Sequence, residues 1–196
     1  MRVLNKRTYQ KMKKNSIILL LILSTAIYSQ NKKKLKIEYI NMTSLSMIKN
    51  TESYFTRYSA EETRSNKGFS FDLNTIQGIR FFDHLAISGG MSLDWNIDET
   101  FFSTPLIIDL RIFTSEKSDN RLFAYIQSGK NIQWSDSFNG DGHTAKMGFG
   151  IISKYDEDIS YYIDFLKKSK AIKIEESKEK GFYRASGFGI SLGVIF

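Results

Sequence analysis

The chain contains no cysteine, a single proline and two histidines, and it has no apolar run as long as a helical membrane span. Each scarcity closes a set of readings. Without cysteine there is no disulfide framework, Cys-ligated zinc, iron–sulfur centre, thiol nucleophile or lipid-modified N-terminal cysteine. His84 and His143 offer little to a His-rich metal site. No cofactor is expected. A length of 196 residues suits one domain. No internal repeat or low-complexity tract divides it.

The formal charge of +7 is concentrated at one end. Arg2, Lys6, Arg7, Lys11, Lys13 and Lys14 precede any acid, and an apolar run from Ile17 to Ile27 follows. Tyr28-Ser29-Gln30 comes next. A basic start, a short apolar stretch and a small residue before a polar segment read as a secretory signal peptide over 1–29. The alternative is an uncleaved anchor, but a span needs about 20 apolar residues. Six of the 28 basic residues lie in 1–29, leaving 22 against 21 acids. The near-neutral remainder gives no charge argument for nucleic acid, and none is expected as a partner. Lys32, Lys33, Lys34 and Lys36 read as a solvated tail.

The remainder, 30–196, alternates with period two. Leu85, Ile87, Gly89, Met91, Leu93, Trp95 and Ile97 share one parity, against Ala86, Ser88, Gly90, Ser92, Asp94 and Asn96. A helix cannot use that pattern. The same holds within 68–81, 105–114, 144–155 and 182–196. It holds less cleanly within 121–134 and 159–172. The first strand, within 35–46, is the hardest to place, because Ile40 and Met42 break the alternation of Leu35, Ile37 and Tyr39. The sum is eight strands. All 13 glycines lie at or after Gly68, where they relieve crowding in a narrow barrel.

The connections fall at 47–67, 82–84, 98–104, 115–120, 135–142, 156–158 and 173–180. Odd-numbered ones are long and polar, and the second and sixth are short. Transmembrane barrels alternate short periplasmic turns with longer external loops. Aromatics gather toward both rims: Phe69, Trp95, Phe101, Phe102, Trp134 and Phe182 at one, Phe81, Phe82, Phe113, Tyr155 and Phe196 at the other. Girdles of this kind mark the headgroup levels of a barrel, although aromatics are also common in strands generally. The polar parity carries Asp72, Arg80, Asp94, Asp109, Arg111 and Lys146. That set fits an interior ion-pair network better than the apolar cavity of a soluble lipocalin-type barrel. A gate or relay is the functional alternative for Arg80, Asp94, Asp109 and Arg111. Eight strands leave room for side chains and no open channel.

The last residues, Phe188, Ile190, Leu192, Val194 and Phe196, resemble the C-terminal β-signal of outer-membrane barrels. Segments 75–81, 85–90 and 105–111 resemble small outer-membrane β-barrel domain proteins of Gram-negative bacteria, porin-like or OmpA-like. The resemblance covers about 68–196. It implies an outer-membrane location, contact with outer-membrane lipids and recognition by the barrel assembly machinery. It implies no reaction. Since the chain stops at the β-signal, the two-domain OmpA arrangement with a periplasmic domain is not expected.

Chemistry is weakly marked. His143 lies beside Asp141 and Thr144, with Ser135, Asp136 and Ser137 just before it. A nucleophile needs its base within hydrogen-bond reach, and no motif selects this grouping. Loop residues Tyr54, Phe55, Tyr58, Glu61, Glu62 and Arg64 suit either a surface ligand or partner, or a cover over the barrel mouth. Lys167 to Lys180 reads as a strand end entering an external hairpin, where electrostatic contact with lipopolysaccharide phosphates is expected. The fold class expected is all-β, an eight-stranded antiparallel up-and-down transmembrane β-barrel. The role expected is structural or interaction-based, without enzymatic activity. The alternatives are a lipid-processing enzyme of the outer membrane, a barrel component of a secretion apparatus and a soluble lipid-binding barrel. Cleavage after Ser29 predicts that N-terminal sequencing of the exported protein reads from Gln30. A protein that keeps Met1 after export removes the cleavage assignment.

Overall fold

The computed structural model describes residues 36–57, 62–64, 68–97, 101–114, 120–132, 141–156, 158–176 and 179–196. The segment 1–29 lies outside them, as do Lys32, Tyr58, Glu61 and Trp134.

The strands are β1 (Ile37–Arg57), β2 (Glu62–Arg64), β3 (Phe69–Phe81), β4 (Leu85–Asn96), β5 (Phe101–Phe113), β6 (Asn120–Ile132), β7 (Gly142–Lys154), β8 (Ser160–Glu176) and β9 (Glu179–Ile195). From β3 to β9 each strand pairs antiparallel with its neighbour in sequence. β1 pairs with β3 on one side and with β9 on the other, which closes the barrel. The short β2 folds back only on the end of β1. The wall therefore has the eight strands that the alternation predicts, in up-and-down order.

The register fixes the dimensions. Following paired residues from Met42 through Ile76, Gly90, Ile107, Gly129, Thr144, Lys170 and Ala185 returns to β1 at Ser53. That is eleven residues along β1, one of them taken up by the bulge between Asn50 and Glu52. A stagger of this size in eight strands gives a tilt of about 35–45° and a lumen that side chains can span.

Four expectations are corrected. β1 extends to Arg57, so most of the first expected loop is wall, including Tyr54 and Phe55. Its upper half is held by β9 up to the pair Arg57–Gly181. The bulge switches the parity from Asn50 to Ser53, which hides the alternation from a count along the sequence. The expected connection at 173–180 is mostly a continuation of β8 and β9, and β5 already begins at Phe101. Phe113 does not join the rim aromatics. It points inward and is 7% exposed.

Outward and inward faces are inverted relative to a water-soluble barrel. Thirty large apolar side chains among the described residues stand exposed, from Ile37 and Tyr39 to Leu192 and Phe196. A soluble monomer does not carry a contiguous apolar belt around its whole wall. Trp95 stacks on Phe102, with ring centroids 5.5 Å apart, and Phe71 joins them at 6.4 Å. Tyr155 meets Tyr161 edge-on at 5.4 Å near the opposite end.

Inward glycines make room for tyrosines across the ladder. Gly148 pairs with Tyr125 and Gly193 with Tyr162. A Cβ on Gly193 would lie 2.3 Å from Tyr162 Cζ, and one on Gly148 would lie 2.7 Å from Tyr125 Cε1. Neither ring can retreat, because both are buried in the filled interior. Gly193→Ala and Gly148→Ala are each expected to destabilise the barrel by about 1–3 kcal/mol through overpacking. The midpoint of urea unfolding in detergent checks this. An unchanged midpoint for both variants would show that the rings are free to move.

Candidate functional site

The inward face has three layers. At the end carrying the 82–84 turn, apolar and aromatic groups meet: Ile40, Met42, Ile76, Phe113, Phe123, Tyr125, Ile152 and Tyr162. Ile40 and Met42, which disturb the alternation of the first strand, are the β1 contribution to this layer at 4% and 0% exposure. The Arg111 guanidinium lies over Tyr125 at 4.5 Å, over Phe123 at 5.0 Å and over Tyr162 at 5.6 Å. A cation among ring faces is attracted by their quadrupoles. Arg80 and Arg121 flank Phe113 at 5.8 and 5.4 Å and cap this end.

The middle layer is ionic. Asp72 on β3 takes Lys146 Nζ at 3.1 Å and Lys168 Nζ at 2.8 Å on one oxygen, and Ser92 donates to the other. Lys168 also reaches Asp94 on β4 at 2.9 Å, and Lys170 reaches the same carboxylate at 3.1 Å. These five residues form one chain across the lumen. Nearby, Gln127 donates to Asp109 at 2.9 Å and accepts from Asn74 at 3.0 Å. Arg111 approaches Asp109 at 3.4 Å, and Tyr125 donates to Asp164 at 3.0 Å. Apart from Arg121, which donates to the Thr114 and Asp83 carbonyls at the mouth, the buried charges among the described residues are four acids and four bases. A low-dielectric interior demands that balance, since an unpaired buried ion costs several kcal/mol.

The third layer is hydrogen-bonded and neutral. Ser53 and Asn96 both donate to the Tyr183 hydroxyl, at 2.9 and 2.8 Å. Tyr183 is 1% exposed and packs with Ile172, Ala185 and Phe55.

Of the residues singled out from sequence, Asp72 and Asp94 enter the ionic chain and Asp109 pairs with Arg111. Arg80 does not join them. It bonds Glu38 at the rim, where Lys36 bridges Glu38 at 2.8 Å and Asp83 at 3.0 Å. Lys168 and Lys170, read from sequence as part of an external hairpin, are 5% and 6% exposed and lie inside. The signal was present: Tyr162, Asp164 and Leu166 share their parity. His143 is exposed on the outer face, and Ser135, Asp136 and Ser137 lie outside the described residues. His84 meets the Phe113 carbonyl at 3.2 Å in the tight turn. Of the C-terminal apolar set, Phe188, Ile190, Leu192 and Phe196 face outward and exposed, while Val194 is half-buried.

No family model matches the chain, and no curated protein matches it in sequence. Solved structures do. The crystal structure of Neisserial surface protein A (NspA) aligns over 82% of this chain and 97% of its own, with a TM-score of 0.52 and 12% identity. The fold is that of a small transmembrane barrel. A de novo designed transmembrane β-barrel also aligns, over 79% of this chain and 94% of its own, at a TM-score of 0.38 and 10% identity. At 12% identity the NspA likeness concerns the fold alone.

Removing one partner of the ionic chain leaves its other charges stranded. Asp72→Ala strands both Lys146 and Lys168 and is expected to cost about 3–5 kcal/mol. Glu38→Ala, at the half-exposed rim, is expected to cost about 0–1 kcal/mol. Urea midpoints of the two variants should separate accordingly. Equal midpoints would mean that the middle layer is hydrated well enough to tolerate a lone lysine.

Proposed function

We propose that the protein is an integral outer-membrane barrel with no open pore, serving a structural or surface-interaction role. The observation that carries this reading is the inverted wall, with an apolar belt outside and paired ions inside. Lipid tails accept such an exterior, and water does not. Within the reading, β9 carries the segment that the barrel assembly machinery recognises, and outer-membrane lipids surround the belt. The end opposite the 82–84 turn faces outward and presents the connections to a surface ligand or protein partner. No cofactor and no catalytic group enter the proposal. The filled middle layer supports the closed lumen, since the lysines and aspartates occupy the path that an ion would take.

Two measurements test it. On gels of the membrane fraction, the unboiled protein is expected to migrate apart from the boiled one, as folded barrels resist detergent. Protein found in the soluble periplasm, with no shift, would overturn the membrane reading. In planar bilayers the reconstituted protein is expected to give no discrete conductance steps, and regular steps would remove the closed lumen while leaving the barrel.

A further inference from the structure

The outer face of β6–β9 and β1 holds a groove of about 650 Å3. Its origin is visible in the register. Ser128, Ala145, Ser169 and Ser186 face each other in turn along one hydrogen-bonded row, so the wall is thin there. The row above carries Lys130, His143 and Arg184. The row below carries Lys167 and Lys49, on either side of Phe188. Lys130, Arg184, Lys167 and Lys49 are all exposed on this face. The acid lining the groove is Glu52, which accepts from Ser186 at 3.2 Å. Asp141 stands one row higher, beside Lys173, whose N–H its carbonyl accepts at 2.9 Å. One row below Lys167 the wall turns apolar, with Phe149 and Phe165 ring to ring at 6.1 Å and Ile190 next to them.

We propose that this groove is a binding site for a lipid with a phosphorylated, anionic headgroup. The phosphate sits over the small residues between the two cationic rows. The acyl chains descend over Phe149, Phe165 and Ile190. The case is one of charge complementarity on a lipid-facing wall. Four basic side chains against one acid call for a counter-charge where water is scarce, and lipid phosphate supplies it. Arg184 adds a planar donor fork suited to phosphate oxygens. The inference rests on the membrane reading above.

The test is native mass spectrometry of the full chain folded in dodecyl maltoside. The probes are dioleoyl phosphatidylglycerol and dioleoyl phosphatidylcholine at equal concentration. One phosphatidylglycerol is expected to be retained in preference by at least about fivefold, the worth of a single basic side chain beside anionic lipid. Arg184→Gln with Lys130→Gln should abolish the preference by removing charge, and Ala145→Leu should abolish it by filling the groove. Lys154→Gln, at the other end of β7, should leave it intact. Equal retention of the two lipids by the unaltered chain overturns the proposal, as does a preference that survives both groove variants. Loss of the preference in excess inorganic phosphate also overturns it, since the groove would then read free phosphate. Each sample is run on a gel unboiled. A heat-modifiable barrel without discrimination sinks only this site, whereas a sample with no shift sinks the membrane reading and the site together.

Discussion

The width of the lumen is the constraint on which the rest depends. Eight strands closed at this stagger bring inward side chains from opposite walls into contact. A residue on β3 or β4 is therefore a neighbour of one on β7 or β8, although more than 70 positions separate Asp72 from Lys146. Everything on the inward face must fit that span, and every charge must find its partner there. The sequence meets the demand with unequal lengths. Short aspartates project from β3 and β4, and long lysines reach across from β7 and β8. Side by side on adjacent strands, bulk is relieved in the same way: glycine pairs with tyrosine at Gly148 and Gly193.

The same constraint orders the lumen along its axis. Arginine held among rings and capped by Arg80 and Arg121 closes off the ionic layer from one end. The Tyr183 hydroxyl, with its donors Ser53 and Asn96, lies toward the other. Between them the dielectric is low, which strengthens each pair and raises the penalty for a missing one. With Arg121 at the mouth set apart, the buried charges of the described residues balance, four acids to four bases, and that balance stabilises the barrel. It is not by itself a sign of catalysis.

Much of this was legible in the sequence because alternation is local. Leu85 to Ile97 states its two faces without reference to any other segment. The inward parity named Asp72, Asp94, Asp109 and Arg111 before any partner was known. What stayed hidden is what depends on pairing. Lys168 and Lys170 look like solvent-facing charge until β9 runs alongside them, extending β8 by several residues. The bulge after Asn50 breaks the count that would have carried β1 to Arg57. Ile40 and Met42 looked like errors in an amphipathic strand. They are the apolar floor of a lumen that changes character along its length, which a single label of polar interior cannot describe.

The division of labour between faces bears on where function can reside. The inward face is committed: its acids and bases pair across the lumen, and a substitution among them answers first to stability. The outward belt is committed to lipid over most of its circumference. The exception is the sector from β6 to β1, where small residues and cations interrupt the belt. A wall selected only for immersion would continue the apolar pattern of Phe149 and Phe165 upward instead of replacing it with serine, alanine, lysine and arginine. Departure from the cheapest solution in one sector, with the rest of the wall conforming, is where a physical reading places specificity. On the membrane reading proposed above, that sector faces lipid, so its partner is sought among lipids before soluble ligands.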